Sequence, residues 1–184
     1  MCDGKFRVVD ENGDVQGSPV GQKNDYRDML ALHFPLLSTV TVRRSAFQDV
    51  GGFDPSLTTG EDIELFLRMA MQSPVAFVPE VVSDYRRHSS NTATGAWDAY
   101  PILQKHRRWA QSAGRPDLVR AVDLGLRRNR RNAALAAFNG ARAARKQGDV
   151  VGLLYQLGLS LWRDPTVMAT AGWSHLSSSG VPRE

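Results

Sequence analysis

Three groups of residues in this 184-residue chain have types and spacing that suit chemistry. They are the glycine pair of Gly51-Gly52-Phe53-Asp54-Pro55, the adjacent acids Glu61-Asp62, and the run Asp84-Tyr85-Arg86-Arg87-His88. A carboxylate within hydrogen-bond reach of a hydroxyl can take its proton as a general base. Arginines suit phosphate oxygens, and a glycine pair lets backbone approach a ligand closely. Each group also has an ordinary structural use. Acids in the first turn of a helix are favoured by the partial positive charge there, glycines end helices by taking the left-handed conformation, and arginines at a strand end are commonly solvated. The order of the three groups, turn then acids then basic strand end, turns attention from structure to a site.

The elements that must position these groups follow from local pattern. Ser38-Thr39-Val40-Thr41-Val42 alternates small polar and β-branched residues and predicts a strand. Ser45 and Gln48 have capping-box spacing for a short helix that the glycine pair ends. Thr58 with Glu61 and Thr59 with Asp62 offer the same spacing for a second helix, whose Ile63, Phe66, Leu67 and Ala70 fall on one face. Glu61 and Asp62 then sit in its first turn. Val75–Val78 reads as a short strand that Pro79 ends or confines to an edge, and Val81–Arg87 as a further extended stretch.

Ser38 to His88 resembles the acceptor-side half of family-2 glycosyltransferases of the GT-A fold. In that family a hydrophobic strand is followed by Gly-Gly-Phe-Asp, a Glu-Asp pair opening a helix, and a Tyr-Arg-x-His ending. Here these are Gly51-Gly52-Phe53-Asp54, Glu61-Asp62 and Tyr85-Arg86-Arg87-His88. The resemblance extends back towards residue 1 and covers about half the chain. It implies a nucleotide-sugar donor and a hydroxyl acceptor, with Asp62 as general base. Glu61 would shape the loop or bind acceptor, and Gly51 and Gly52 would let backbone approach the sugar or acceptor. Arg86 and Arg87 would meet phosphate, and His88 would contact a divalent cation, Mg2+ or Mn2+, or the donor diphosphate. The family's donor half, with its nucleotide-binding units and Asp-x-Asp motif, has no counterpart in the 184 residues; the nearest spacing, Asp10 to Asn12, has an Asn in second place. The expectation is therefore a fragment, inactive alone, with an exposed sheet edge that self-associates or pairs with a donor-half protein.

Composition sets wider bounds. At 42% hydrophobic and 23% charged residues the chain can build one good core or two small ones. The single Cys2 excludes an internal disulfide. No apolar run approaches the ~18 residues of a membrane-spanning helix, and a cytoplasmic location is the default expectation. Charge divides unevenly: residues 1–96 hold 9 Lys+Arg against 13 Asp+Glu, and residues 97–184 hold 14 against 6. The predicted class is α/β, a partial GT-A-type mixed sheet with helices over residues 1–95, then a basic all-α region over 96–176 and a disordered tail over 177–184.

Around the central stretch, Lys5–Val9 reads as a strand and Asp10–Asp14 as a hairpin turn in which Asn12-Gly13 supplies positive φ angles. Asn24 or Asp25 can cap a helix with Tyr26, Met29, Leu30 and His33 on one face, stopped by Pro35. His33 reads as a packed histidine, and the resemblance implies that this region lies towards the acceptor pocket. Ser89–Gly95 has the composition of a boundary loop, or of a lid. Helices are predicted over Leu103–Ala113, from Asp117 to Lys146, and from a cap at Asp149, with a break at Asp164-Pro165. The run Arg127-Arg128-Asn129-Arg130-Arg131 wraps more than one helix face and is mostly solvated. Residues 133–165 resemble one tetratricopeptide-type helical pair, short of the ~3 copies a stack needs. The basic region suits an anionic membrane surface carrying a lipid-linked acceptor, placing the protein peripherally at the membrane. The rival class is a non-catalytic interaction module that binds a partner protein or nucleic acid through this region. No nucleic-acid motif with interleaved aromatics accompanies it. A degenerate remnant without function is the third reading.

Overall fold

The computed structural model describes residues 1–88 and 99–167; the predicted loop over 89–95 and tail over 177–184 lie outside them. The chain begins with β1 (Cys2–Val9) and β2 (Val15–Val20), followed by α1 (Tyr26–Leu30), a 3-10 turn (Leu37–Thr39), α2 (Arg44–Asp49), α3 (Glu61–Gln72) and β3 (Ala76–Arg86). Three helices complete the described chain: α4 (Tyr100–Ser112), α5 (Pro116–Gln147) and α6 (Val150–Arg163). The class is mixed α/β. The sheet has the order β2-β1-β3, with β1 antiparallel to β2 and parallel to β3.

Two compact units divide the described residues, 1–88 with 99–126 and 127–167, so the division falls within α5 rather than near residue 95. The core of the first unit is helical. Met29 and Leu30 of α1, Phe66 and Leu67 of α3, Leu103 of α4 and Val122 of α5 are fully buried. At Gly125 of α5 a Cβ would collide with the Leu30 carbonyl oxygen, so this glycine sets how closely the two helices approach. The sheet is less covered. Among the described residues both outer strands have an unpaired edge, and Val15, Val20, Val78, Val81 and Val82 are exposed.

The hairpin forms around Asp10, whose carboxylate accepts from the backbone N–H groups of Asn12 and Asp14 at 2.9 and 3.0 Å. Gly13 alone of its Asn-Gly pair takes positive φ, 96°. Asp25 caps α1 in a reciprocal box with Asp28. The helix ends at Leu30, before Pro35 can act, with Leu32 at φ 64° turning the chain.

Four local expectations need correction. The predicted strand Ser38–Val42 is a 3-10 turn followed by a single bridge, Thr41 to Cys2. The Thr39 hydroxyl accounts for it: its one hydrogen is shared between Leu36 O, 2.7 Å from the hydroxyl oxygen, and the buried Asp3 carboxylate. α2 starts one residue before Ser45, with Arg43 at the N-cap and no side-chain cap bond. Neither Thr58 nor Thr59 caps α3, because Gly60, left-handed at φ 76°, takes the N-cap place. The two predicted strands flanking Pro79 are one strand. Gly4 pairs with Val78 and Lys5 with Val81, so Pro79 and Glu80 bulge out where a missing N–H costs nothing.

Candidate functional site

Asp62 is the predicted site residue whose surroundings stand out. It lies half-buried in the first turn of α3, and its Oδ1 accepts from the Ile63 backbone N–H at 2.8 Å. Burial pushes its carboxyl up from the usual range; the Ile63 N–H opposes this and the neighbouring Glu61 charge adds to it. Among the described residues Asp62 makes no ion pair.

Glu64, two residues on, is the contrast. It is buried, yet its carboxylate holds Arg68 through Nε at 2.9 and 2.7 Å and lies 3.6 Å from Lys105 Nζ. Arg68 also donates to Val50 O, and to Gly52 O at 2.6 Å. These carbonyls close the C-terminal end of α2, where intrahelical donors run out. Arg68 thereby ties the glycine turn to the helix that carries Glu61 and Asp62. Sequence reasoning missed this pair, although Glu64 and Arg68 stand at the i, i+4 spacing that signals it.

Gly51 and Gly52 both take positive φ, 85° and 68°, and end α2 with N–H bonds to Gln48 O and Phe47 O. A Cβ on Gly52 would press on the Phe47 ring at 3.2 Å, and Phe47 in turn meets Phe53 edge to face. The pair is thus accounted for by the turn itself. Glu61 is the first residue of α3 and half-buried. Arg86 donates through one guanidinium nitrogen to Asp10 O and Glu11 O, at 3.3 and 2.7 Å, and so braces the hairpin turn. Arg87 donates its backbone N–H to Val9 O at 2.8 Å, and its side chain is exposed, as is His88 just beyond β3. Among the described residues Asp62 makes no hydrogen bond with Arg86, Arg87 or His88. Arg68 thus joins the glycine turn to the helix of the acids, and Arg86 joins the end of β3 to the hairpin.

A divalent cation needs several oxygen or nitrogen ligands in one place. Among the described residues no group of three His, Cys, Asp or Glu side chains is so arranged, and His88 alone does not fit such an ion.

Clefts also lie elsewhere in the first unit. One, of about 330 Å³, is lined by Asp3, Asn24, His33, Phe6 and Phe34 among others. His33 is half-buried, in keeping with a packed histidine at the rim of a cavity. Another, of about 590 Å³, lies beside Tyr26, Trp109 and Arg115. Neither is lined by Asp62.

Beside the Glu64 cluster sits His106, 5% exposed, with Nδ1 2.8 Å from the Tyr26 hydroxyl and Nε2 buried without a partner among the described residues. Burial, reinforced by the Lys105 and Arg68 charges against the opposing pull of Glu64, lowers its pKa to about 4. A lowered folded-state pKa means that the unfolded chain binds the proton more readily. Stability is then full above the ordinary histidine value of 6.5 and is lost as pH falls towards about 4. The loss amounts to about 3 kcal/mol at 1.36 kcal/mol per unit. Urea unfolding should show a midpoint that drops between pH 7 and pH 5, and His106→Gln should flatten that dependence.

No protein-family model, curated protein or solved structure matches the chain.

Proposed function

We propose that this chain carries the acceptor-side half of a family-2, GT-A-type glycosyltransferase centre, with Asp62 as the general base. The observation that carries the reading is the contrast within one helix turn. Glu64 is neutralised by Arg68 and Lys105, whereas Asp62, without a cation partner, is held more basic than an ordinary carboxyl. A half-buried carboxylate of raised proton affinity, at the surface-facing start of a helix, suits proton removal from a hydroxyl. As the acceptor oxygen bonds to the sugar, its proton passes to Asp62, and the bond from sugar to nucleoside diphosphate breaks. Arg87 and His88, exposed at the end of β3, would face the leaving diphosphate, and Arg86 would support them from the hairpin. No step is assigned to a metal ion, since the described residues do not themselves make a cation site.

The donor site belongs in this proposal to a nucleotide-sugar-binding half that pairs with the sheet. The outer edges of β2 and β3, unpaired among the described residues, and the exposed valines of the sheet support such a partner. The reading is tested by assaying the chain alone, and fused to a GT-A-type donor-binding half, against a panel of nucleotide sugars and hydroxyl acceptors. Transfer by the fused protein and none by the chain alone is the expected result. Absence of transfer by a folded fusion that binds donor would count against the proposal, and transfer by the chain alone would refute the division of labour.

A further inference from the structure

α6 reverses the usual arrangement of an amphipathic helix. Its polar side chains face α5: the buried Ser160 hydroxyl donates to Ala134 O at 3.0 Å, and the Arg163 guanidinium to Ala133 O at 3.4 Å. Gln156 packs over Gly140, where a Cβ would come within 3.1 Å of its amide carbon. The opposite face carries Val150, Val151, Leu154, Tyr155, Leu161 and Trp162, all exposed, Val151 to 79% and Trp162 to 78%. At 100° per residue these positions and Gly158 cover an arc of about 140°, in which the tyrosine hydroxyl and indole N–H are the only polar side-chain groups. A helix facing water presents the reverse pattern, and an exposed apolar face of this extent marks a surface that meets something.

The charge around the face says what it meets. Residues 127–167 hold eight Lys and Arg against two Asp. The exposed Arg142, Arg145 and Lys146 stand at the end of α5, and only Gln147, Gly148 and Asp149 separate them from Val150 and Val151 at the start of the apolar face. α6 itself contains no acidic residue.

We propose that α6 lies in the interface of an anionic lipid bilayer, with its apolar face in the acyl boundary and the cations at the end of α5 on headgroup phosphates. Its 14 residues reach about 21 Å, short of the ~30 Å hydrocarbon core. Among the described residues no helix is long and apolar enough to cross a membrane. An orientation along the surface follows. Tyr155 and Trp162 have the apolar ring and polar edge that favour the headgroup level. A second copy of the chain offers the same positive surface and would be repelled, whereas an anionic bilayer supplies both an apolar medium and the opposite charge. The inference stands independently of the assignment of Asp62.

The test is co-sedimentation of the purified chain with vesicles of phosphatidylcholine alone or with one third phosphatidylglycerol, at low and high salt. Binding to the anionic vesicles is expected at low ionic strength, falling severalfold as salt screens the headgroups. The double variant Leu154→Gln/Trp162→Gln should lose about a hundredfold in partitioning. Arg145→Gln/Lys146→Gln should lose about tenfold or more. All four positions are exposed, and circular dichroism checks that the helices persist. Failure of the wild-type chain to bind at low ionic strength overturns the proposal. Binding that survives the apolar double variant overturns the role of α6. Self-association in lipid-free buffer that the same variant abolishes, without vesicle binding, makes the face a contact between copies and overturns it as well.

Discussion

Asp62→Asn is expected to abolish turnover and, in the same protein, to raise the stability of the fold. The kinetic part follows from the proposed role. A general base acts on the proton that moves in the transition state, so its loss lowers the catalytic step by about 10²–10⁴ while donor affinity changes little. The stability part follows from the direction of the pKa shift. Burial, the largest cause, raises the Asp62 carboxyl above the ordinary 3.8, so between these values the folded chain holds the proton and the unfolded chain does not. Stability therefore falls as pH rises through that window. Above the folded value the ionised group is a constant cost. Asparagine keeps an oxygen for the Ile63 N–H and carries no charge, so the cost is absent at pH 7 and the two proteins converge in acid. Transfer assays on the fused protein and thermal unfolding of the chain at pH 7 and pH 3.5 measure the two parts. Glu61→Gln, at the neighbouring position, should keep most of both properties. Turnover near the wild-type rate would remove Asp62 from the mechanism. A lower melting temperature at pH 7 would instead make its carboxylate structural.

Features that a few neighbouring residues decide are legible in this sequence. Asp25 and Asp149 cap the helices predicted from them, Gly114 and Gly148 end α4 and α5 at positive φ, and Gly51 and Gly52 do the same for α2. Misreadings arise where a distant group decides. Ser38–Val42 alternates like a strand, but the Thr39 hydroxyl turns to Asp3, 36 positions away in sequence, and the segment curls. Pro79 reads as a strand end or as the mark of an edge; β3 is an edge strand among the described residues, and it does not end there because a bulge absorbs the residue that cannot donate. At the candidate site, the first-turn position of Asp62 is readable from spacing, while its raised proton affinity depends on what buries it. Arg86 reads as a phosphate ligand because its bonds to the hairpin carbonyls run to residues 75 and 76 positions earlier. The outward apolar face of α6 was hidden for a related reason. Its helix is apolar on most sides, and only packing shows that Ser160 and Arg163 are turned inward.

Arg68→Ala should destabilise the first unit by about 3–5 kcal/mol, because it strands the buried Glu64 carboxylate. The Glu64 side chain is 4% exposed, and the remaining cation, Lys105 at 3.6 Å, is 65% exposed. Lys105 is therefore well screened and a poor replacement. Two further groups are stranded at the same time, the carbonyls of Val50 and Gly52 that Arg68 now satisfies. The damage comes from leaving partners behind, which makes the effect non-additive. Glu64→Leu combined with Arg68→Met removes the unpaired carboxylate and refills the space with apolar atoms, so the double variant should be more stable than Arg68→Ala alone. Urea unfolding followed by Trp109 fluorescence, with Trp97, Trp162 and Trp173 replaced by Phe, measures the series on the first unit. If Arg68→Ala costs less than 1 kcal/mol, the pair is screened like a surface bridge and the glycine turn is held by its own backbone. A variant that folds yet loses transfer activity would show the other consequence of this side chain. Arg68 fixes the turn at Gly52 against α3, and the eight residues between Gly52 and Glu61 span a loop that delivers both acids to the site. Releasing that anchor should let the loop wander and lower turnover further than stability alone would explain.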